Sequence, residues 1–341
     1  VPHKTDLKPP VGRLVEAYSR LHFGLLEIHP GAPNCFGGIG LMVDKPSVCL
    51  SASASSIEDP TPSTDPCFAW EDPYWKERFL RVYANFRSRT DGVALDAIKL
   101  TQTPTPHIGL GSGTQFASAA SAILNSFLDG NQSLEAQGSQ HLTIDSGRGL
   151  RSHIGLHGFL HGGLVVDLGQ SSELSQCDTD RTRSHGFPTQ WQIVLLHEPI
   201  YQGDSGASEQ AIFDRCSAQE NPNRERMLAL IQQQILPAVS DVDFPEATRA
   251  IGQYGELAGN VFASALGDAY RTPRIRHWID RFRSMGLDGV GQSSWGPVVF
   301  VIVQDTDEAN WLVDKVRPEL QENGWVTSSR VAGPARIEVS S

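Results

Sequence analysis

At 341 residues the chain is long enough for two lobes around a large buried core. Its 39% hydrophobic and 20% charged content is that of an ordinary globular protein, and a net charge of −11 argues against non-specific nucleic-acid binding. No apolar run reaches the roughly 18 residues of a membrane span, the start at Val1 has no apolar signal core, and the five cysteines (Cys35, Cys49, Cys67, Cys177, Cys216) form no CxxC pair, so a cytoplasmic protein with reduced thiols is expected. An acidic protein that takes an anionic substrate must meet it with a local cluster of Arg, His and backbone N–H groups.

Residues 11–26 read as a strand, and the partial alternation through Arg20-Leu21-His22-Phe23 places Arg20 and His22 on one face. That pair suits an anion, and equally a solvated strand face. Cys35-Phe36-Gly37-Gly38-Ile39-Gly40-Leu41 is a Gly-rich turn leading into a strand through Leu50. Residues 51–66, rich in Ser, Pro and Asp, read as a surface loop. Residues 73–89 read as a helix, with Pro73 in its first turn and Phe79, Leu80, Tyr83 and Phe86 on its apolar side.

An extended run, 93–100, then enters Pro106-His107-Ile108-Gly109-Leu110-Gly111-Ser112-Gly113-Thr114-Gln115, and an apolar helix follows over 116–128. Strand, Gly-rich turn and helix in that order aim backbone N–H groups at an anion. Glycines admit a phosphate closely because no Cβ blocks it. Ser112 and Thr114 supply hydroxyls that can cap the helix or touch a phosphate or its metal. Further on, Ser146-Gly147-Arg148-Gly149-Leu150-Arg151-Ser152-His153 sets two arginines among glycines with no acid between them, as in an anion clamp or an exposed helix start. Gly162-Gly163 turns into a strand ending at Asp167, which is a candidate metal ligand or a turn cap. Residues 171–188, with Asp178, Asp180, Arg181, Arg183 and His185, read as a long polar loop.

The second half opens with a strand over 191–197. Gly203-Asp204-Ser205-Gly206 leads to a helix with Glu209 and Phe213, and helices follow over 223–236, 243–266 and 274–285. Val290-Gly291-Gln292-Ser293-Ser294-Trp295-Gly296-Pro297 is a third glycine turn, followed by a strand over 298–303, a helix over 308–323 and strands over 325–330 and 336–339. The order predicts an α+β fold in two lobes, 1–188 and 189–341.

Three glycine turns in this order resemble the GHMP kinase superfamily, whose phosphate loop has the form Pro-x-x-x-Gly-Leu-Gly-Ser-Ser-Ala. Gly109-Leu110-Gly111-Ser112 matches its core, although Pro106 stands one residue closer than the pattern asks. Within the superfamily the finer resemblance is to the β-ribofuranosylaminobenzene 5′-phosphate synthases. It is carried by Arg20-Leu21-His22-Phe23-Gly24-Leu25, Phe36-Gly37-Gly38-Ile39-Gly40, the loop through Gln115, Arg148-Gly149-Leu150-Arg151-Ser152-His153-Ile154-Gly155, the stretch 203–213, and Gly291 to Pro297. The resemblance implies a two-lobed GHMP-kinase-like fold. It assigns phosphate or substrate binding to Gly109, Leu110, Gly111, Ser112, Gly113, Thr114, Gln115, Ser152, Gly291, Gln292, Ser293 and Ser294. Arg20, His22, Arg148 and Arg151 are the candidate catalytic cations, and Thr114 and Asp167 the candidate ligands of Mg2+.

Two departures from the kinase pattern matter. Aligning Ser152 and Gly162-Gly163 on the kinase Ser-Gly-x-Asp frame puts Gly155 where a catalytic Asp belongs, and glycine has no side chain to position or deprotonate a hydroxyl. The second loop serine, a metal ligand in the kinases, is Gly113. The resemblance implies an enzyme that joins ribose 5-phosphate from phosphoribosyl pyrophosphate to 4-aminobenzoate or 4-hydroxybenzoate, with loss of CO2 and pyrophosphate, as an early step towards tetrahydromethanopterin. It implies a homodimer as well. Two other readings stay open: an ATP- and Mg2+-dependent kinase with Asp145 or Asp167 as replacement base, and a non-catalytic module that binds a phosphorylated metabolite.

Overall fold

Two long strands, β1 (Val11–Leu25) and β2 (Gly38–Ala54), pair antiparallel from Val11↔Ala54 to Leu25↔Gly38, with register shifts at Tyr18/Ser19 and His22/Gly24. The structure, a computed structural model, describes residues 11–54, 67–90, 93, 95–128, 142–147, 152–169, 181–199, 211, 214–217 and 220–340. The first sheet grows outward from this ribbon in the order β11-β1-β2-β4-β3, with β5 on the far part of β2 and β6 on β5. Here β3 is Cys67–Phe68, β4 Ala97–Gln102, β5 Leu164–Asp167, β6 Thr182–His185 and β11 Arg336–Ser340. The second sheet has the order β10-β7-β9-β8, from Trp325–Ser329, Gln192–His197, Val299–Val303 and Val290–Gln292.

Helix α1 (Pro73–Arg89) has the predicted bounds because its ends are specified locally: Asp72 Oδ1 accepts the Tyr74 N–H at 2.9 Å, and Pro73 fills a position whose N–H has no helical partner. Helix α2 (Ser112–Leu128) packs its alanines on β1 and β2, and α3 (Ile154–His161) lies beside it. In the second half α4 (Arg224–Leu230) passes through a π-turn (Ile231–Ile235) into α5 (Leu236–Ser240), and α6 (Phe244–Leu266), α7 (Pro273–Ser284) and α8 (Thr306–Val316) follow.

The core explains the apolar pattern. On β7 and β9, Ile193, Leu195, Phe300 and Ile302 join a cluster with Leu21 and Phe23 of β1 and Ile251 and Tyr254 of α6. The alternate residues Val194, Leu196, Val299 and Val301 face Trp278 and Phe282 of α7 and Leu312 of α8. Buried on both faces, these strands read as continuous apolar runs, and each such side chain contributes roughly 1.5–3 kcal/mol. A separate cluster under α1 and α2 holds Trp75, Phe79, Phe116 and Phe127.

Several expectations are corrected. Residues 51–54 continue β2 instead of opening a loop, since Ala52 and Ala54 alternate inward. The extended run expected at 93–100 is a strand only from Ala97, through Gln102. Thr182–His185, expected as loop, is a strand paired with β5. The last helix ends at Val316, because Pro318 cannot continue its N–H ladder and a short 3-10 turn takes over. Backbone pairing crosses the cut between 188 and 189: β11 returns to pair with β1, and Val331 bridges Val43.

Candidate functional site

The three glycine turns meet. β4 delivers the chain into the loop, where His107, Gly109 and Gly111 take positive φ of 61°, 92° and 67°. Glycine is required at 109: a Cβ there would stand 2.4 Å from the Ser293 carbonyl oxygen, and one on Gly296 would stand 2.5 Å from Gly109 Cα. Ser293 clips the pieces together. Its hydroxyl donates to the Gly109 carbonyl at 2.8 Å and accepts the His22 N–H at 3.1 Å. The Ser294 N–H donates to the His22 carbonyl at 2.7 Å, the Arg20 N–H to the Leu110 carbonyl at 3.0 Å, and the Val298 N–H to the Ile108 carbonyl at 3.2 Å.

Beyond this knot α2 begins. The N–H groups of Thr114 and Gln115 turn back to the Gly111 carbonyl at 2.9 and 3.1 Å, while those of Ser112 and Gly113 have no acceptor among the described residues. Two amides at the positive end of a 17-residue helix are the groups to which an anion is attracted. Arg20 lies against it: a Cβ on Gly111 would stand 3.3 Å from both Arg20 Cβ and Nε.

His22 is no cation. It is buried, its Nδ1 accepts the Gly24 N–H at 3.2 Å, and burial together with the Arg20 charge holds its pKa well below the ordinary histidine value. It is a neutral imidazole. Arg148 and Arg151 lie outside the described residues, as does most of 203–213. A cation that sequence reasoning passed over stands in the site instead. The Arg78 guanidinium of α1 lies 3.2 Å, at Cζ, Nη1 and Nη2, from where a Cβ on Gly113 would be. The signal available was the Asp72 cap, which fixes the phase of α1 and puts Tyr74 and Arg78 on one face.

Several expected binding residues serve the fold with their side chains. Leu110 is buried in the core, and a Cβ on Gly291 would strike the Phe300 ring at 2.7 Å. The Ser293 hydroxyl is spent on its clip. Gln292 accepts the Arg271 N–H at 2.9 Å and donates to the Ser294 carbonyl at 2.9 Å. The Ser152 hydroxyl accepts the Ile154 N–H at the start of α3, at 3.4 Å. Gln115, fully buried, donates to the Gly155 carbonyl at 2.9 Å, and its Oε1 has no partner among the described residues.

The expected base position is closed. Gly155 faces the loop, and a Cβ on it would stand 3.1 Å from the Thr114 methyl. Neither replacement is available. Asp145 is buried and held by Arg89 Nε at 3.0 Å and Nη2 at 2.6 Å, Ser121 Oγ at 2.9 Å and Asn125 Nδ2 at 3.0 Å. Asp167 is equally buried, accepting the N–H groups of His153 at 2.8 Å and Gly169 at 2.9 Å and the Thr182 hydroxyl at 3.3 Å. That corrects its expected role: its carboxylate is saturated by donors around the start of α3 and does not fit a metal ligand. Among the described residues no three His, Cys, Asp or Glu side chains converge on a metal position.

Beside the knot a cleft opens between the end of β1, α6 and the third turn, lined by His22, Tyr270, Gln292, Ser294, Phe262 and Trp295. Phe262 and Trp295 stack with centroids 4.2 Å apart, the Arg271 guanidinium carbon lies 5.8 Å from the Trp295 ring, and the buried indole N–H has no acceptor among the described residues. The cleft therefore offers an aromatic wall with a cation at its edge.

No protein-family model matches the chain. Among curated proteins it is similar to the β-ribofuranosylphenol 5′-phosphate synthase of Archaeoglobus fulgidus, at 27% identity over 336 residues, covering 94% of this chain and 98% of the relative. The enzyme of the same name from Methanothermobacter thermautotrophicus is 25% identical over 311 residues, covering 86% and 89%. Among solved structures, mevalonate pyrophosphate decarboxylase from Streptococcus pyogenes superposes with a TM-score of 0.65 at 13% identity, covering 96% of this chain and 99% of the other. Homoserine kinase from Cytophaga hutchinsonii gives 0.62 at 12% identity, covering 99% and 100%. These structural likenesses show the fold, which is the α+β fold of the GHMP kinases.

Proposed function

We propose that this chain, a relative of the β-ribofuranosylphenol 5′-phosphate synthases built on the GHMP kinase fold, is a synthase of the same kind. It transfers ribose 5-phosphate from phosphoribosyl pyrophosphate to the carboxylate-bearing ring carbon of 4-hydroxybenzoate or 4-aminobenzoate and releases CO2 and pyrophosphate. The relatives are named for a phenol product, which favours the hydroxy acid as acceptor. The observation that carries the reading is a kept anion cradle beside a missing kinase base: Gly155 is packed on Thr114, and Asp145 and Asp167 are both committed elsewhere.

The chemistry needs no base at that position. The C1–O bond of the donor breaks with its electron pair leaving on pyrophosphate, and C1 gains oxocarbenium character. The electron-rich ring carbon forms the C–C bond. The carboxylate then leaves as CO2, returning its bonding pair to the ring. The N–H groups of Ser112 and Gly113 and the positive end of α2 receive the charge that develops on the leaving group. The aromatic acid occupies the Phe262–Trp295 cleft, with Arg271 at its edge for the carboxylate. Mg2+ enters in this reading as the counter-ion of the pyrophosphate, and the protein acts in the cytoplasm as a homodimer.

The test is a product balance. With phosphoribosyl pyrophosphate, Mg2+ and carboxyl-labelled 4-hydroxybenzoate or 4-aminobenzoate, labelled CO2 and pyrophosphate appear in equal amounts. ATP is not consumed with any alcohol or sugar. Pyrophosphate without CO2 means that water or a heteroatom attacks C1, and ATP-dependent phosphorylation without CO2 makes the protein a kinase; either result overturns the proposal.

A further inference from the structure

Arg78 is held in place by its surroundings. Its Nη1 donates to the Tyr74 hydroxyl at 2.7 Å, and its guanidinium carbon lies 5.3 Å from the centre of the Tyr74 ring. That ring is itself fixed edge-on against Trp75 and His107, at 4.7 and 5.4 Å between centroids. Burial and the Arg78 charge together lower the His107 pKa, so this neighbour adds no positive charge at neutral pH. Three guanidinium atoms are equidistant, at 3.2 Å, from the Cβ position of residue 113, so the plane lies roughly face-on over the first turn of α2. Two other arginines of α1 have carboxylate partners, Arg81 with Glu77 at 2.8 Å and Arg89 with Asp145 at 2.6 Å, and Arg87 lies over the Tyr83 ring, away from the loop. Arg78 forms no ion pair among the described residues. A half-buried guanidinium with one neutral partner, pressed on a helix start that has two amides to spare, lacks only an anion.

We propose that Arg78 is a pyrophosphate-binding residue, a cation supplied by α1 that closes the cradle of Ser112 and Gly113 from above, with Gly113 required so that the guanidinium can lie there. The inference rests on the reading that this loop takes the pyrophosphate. It adds a cation that the loop sequence does not contain. Tyr74 is then a positioning residue, acting through Arg78. The fixed fork can donate two N–H groups to two phosphate oxygens, which an ammonium on a flexible stem does not reproduce.

The experiment measures equilibrium binding by calorimetry, without turnover, with inorganic pyrophosphate and ribose 5-phosphate titrated separately into the full chain. Arg78→Gln should bind pyrophosphate about ten- to a hundredfold more weakly, the range expected for losing a charge-assisted contact. Arg78→Lys should fall between it and the parent. Gly113→Ser should weaken binding by crowding the guanidinium, and Tyr74→Phe should do so by releasing it. Arg81→Gln is the control, since it removes the same charge from the same helix at an exposed pair (73% and 74%) and should leave affinity unchanged. Unchanged pyrophosphate affinity in Arg78→Gln, an equal loss in Arg81→Gln, a loss confined to ribose 5-phosphate, or a parent protein that binds no pyrophosphate would each overturn the assignment. The product balance on the parent protein tests the reaction separately. CO2 release by a parent whose pyrophosphate affinity ignores Arg78 would leave the function standing and remove only this residue.

Discussion

Ser293 shows how much of a candidate site can be invisible in its own sequence. In the third glycine turn it reads as a hydroxyl offered to a phosphate, yet it is fully buried and bridges the Gly109 carbonyl to the His22 N–H. Ser293→Ala should leave both groups unpaired and destabilise the protein by about 1–3 kcal/mol, read as a lower Tm. Pyrophosphate binding should weaken with it, because Gly109 loses its brace; a folded variant with parental Tm and lost affinity would instead make the hydroxyl a direct ligand. What was legible at this scale is the placement of the main chain. Gly109, Gly111, Ser112 and Gly113 sit where the strand–turn–helix order put them. The charge state of His22 was not legible, because it depends on burial supplied by residues more than 200 positions away.

At the scale of elements, the sequence spoke clearly where ends are specified locally. The caps of α1, α6 and α7 are Asp72, Asp243 and Thr272, each with a proline at the first or second helical position and each accepting an N–H from the first turn. It was silent where partners are remote. Nothing in Leu164-Val165-Val166-Asp167 announces that the terminal carboxylate will hold the start of α3 through the His153 N–H. Asp167→Asn weakens acceptors at the positive end of that helix, and a loss of about 1–3 kcal/mol is expected in denaturant unfolding. Pyrophosphate affinity, measured below the lowered Tm, should be unchanged. Normal stability with lost affinity would return Asp167 to the list of ligands.

At the scale of the whole molecule, the alternation of strands and helices and the continuous apolar runs of β7 and β9 made the two-sheet α+β architecture legible. Strand order was not, because pairing partners are chosen by long-range packing that periodicity does not record. The assembled molecule also carries a pH dependence that no single segment encodes. Burial lowers the pKa of His22, His107, His157, His185 and His197, with His157 pushed down to about 4. The unfolded chain then binds more protons than the folded one below an unperturbed histidine pKa of about 6.5, so stability falls as pH drops through that value. Each group contributes a slope of at most about 1.4 kcal/mol per pH unit. For His157 the loss continues to about pH 4, and His157→Gln should flatten the Tm profile between these limits. A Tm that rises on acidification through this window would contradict the neutral, buried assignment.

The pairing of β11 with β1, together with the clip at Ser293, sets an order of events on the ribosome. Loop and first ribbon are synthesised early, but the strand that covers the β1 edge and the turn that braces Gly109 and His22 belong to residues 290–340. At a synthesis rate of roughly 5–20 residues per second, the loop waits about 10–40 s for its brace. Through that interval the nascent chain presents an open strand edge and the apolar side chains of Ile108 and Leu110, which later join the core shared with β9. The brace on the glycine loop is thus among the last contacts to form, and the half-made sheet keeps an open edge until β11 arrives.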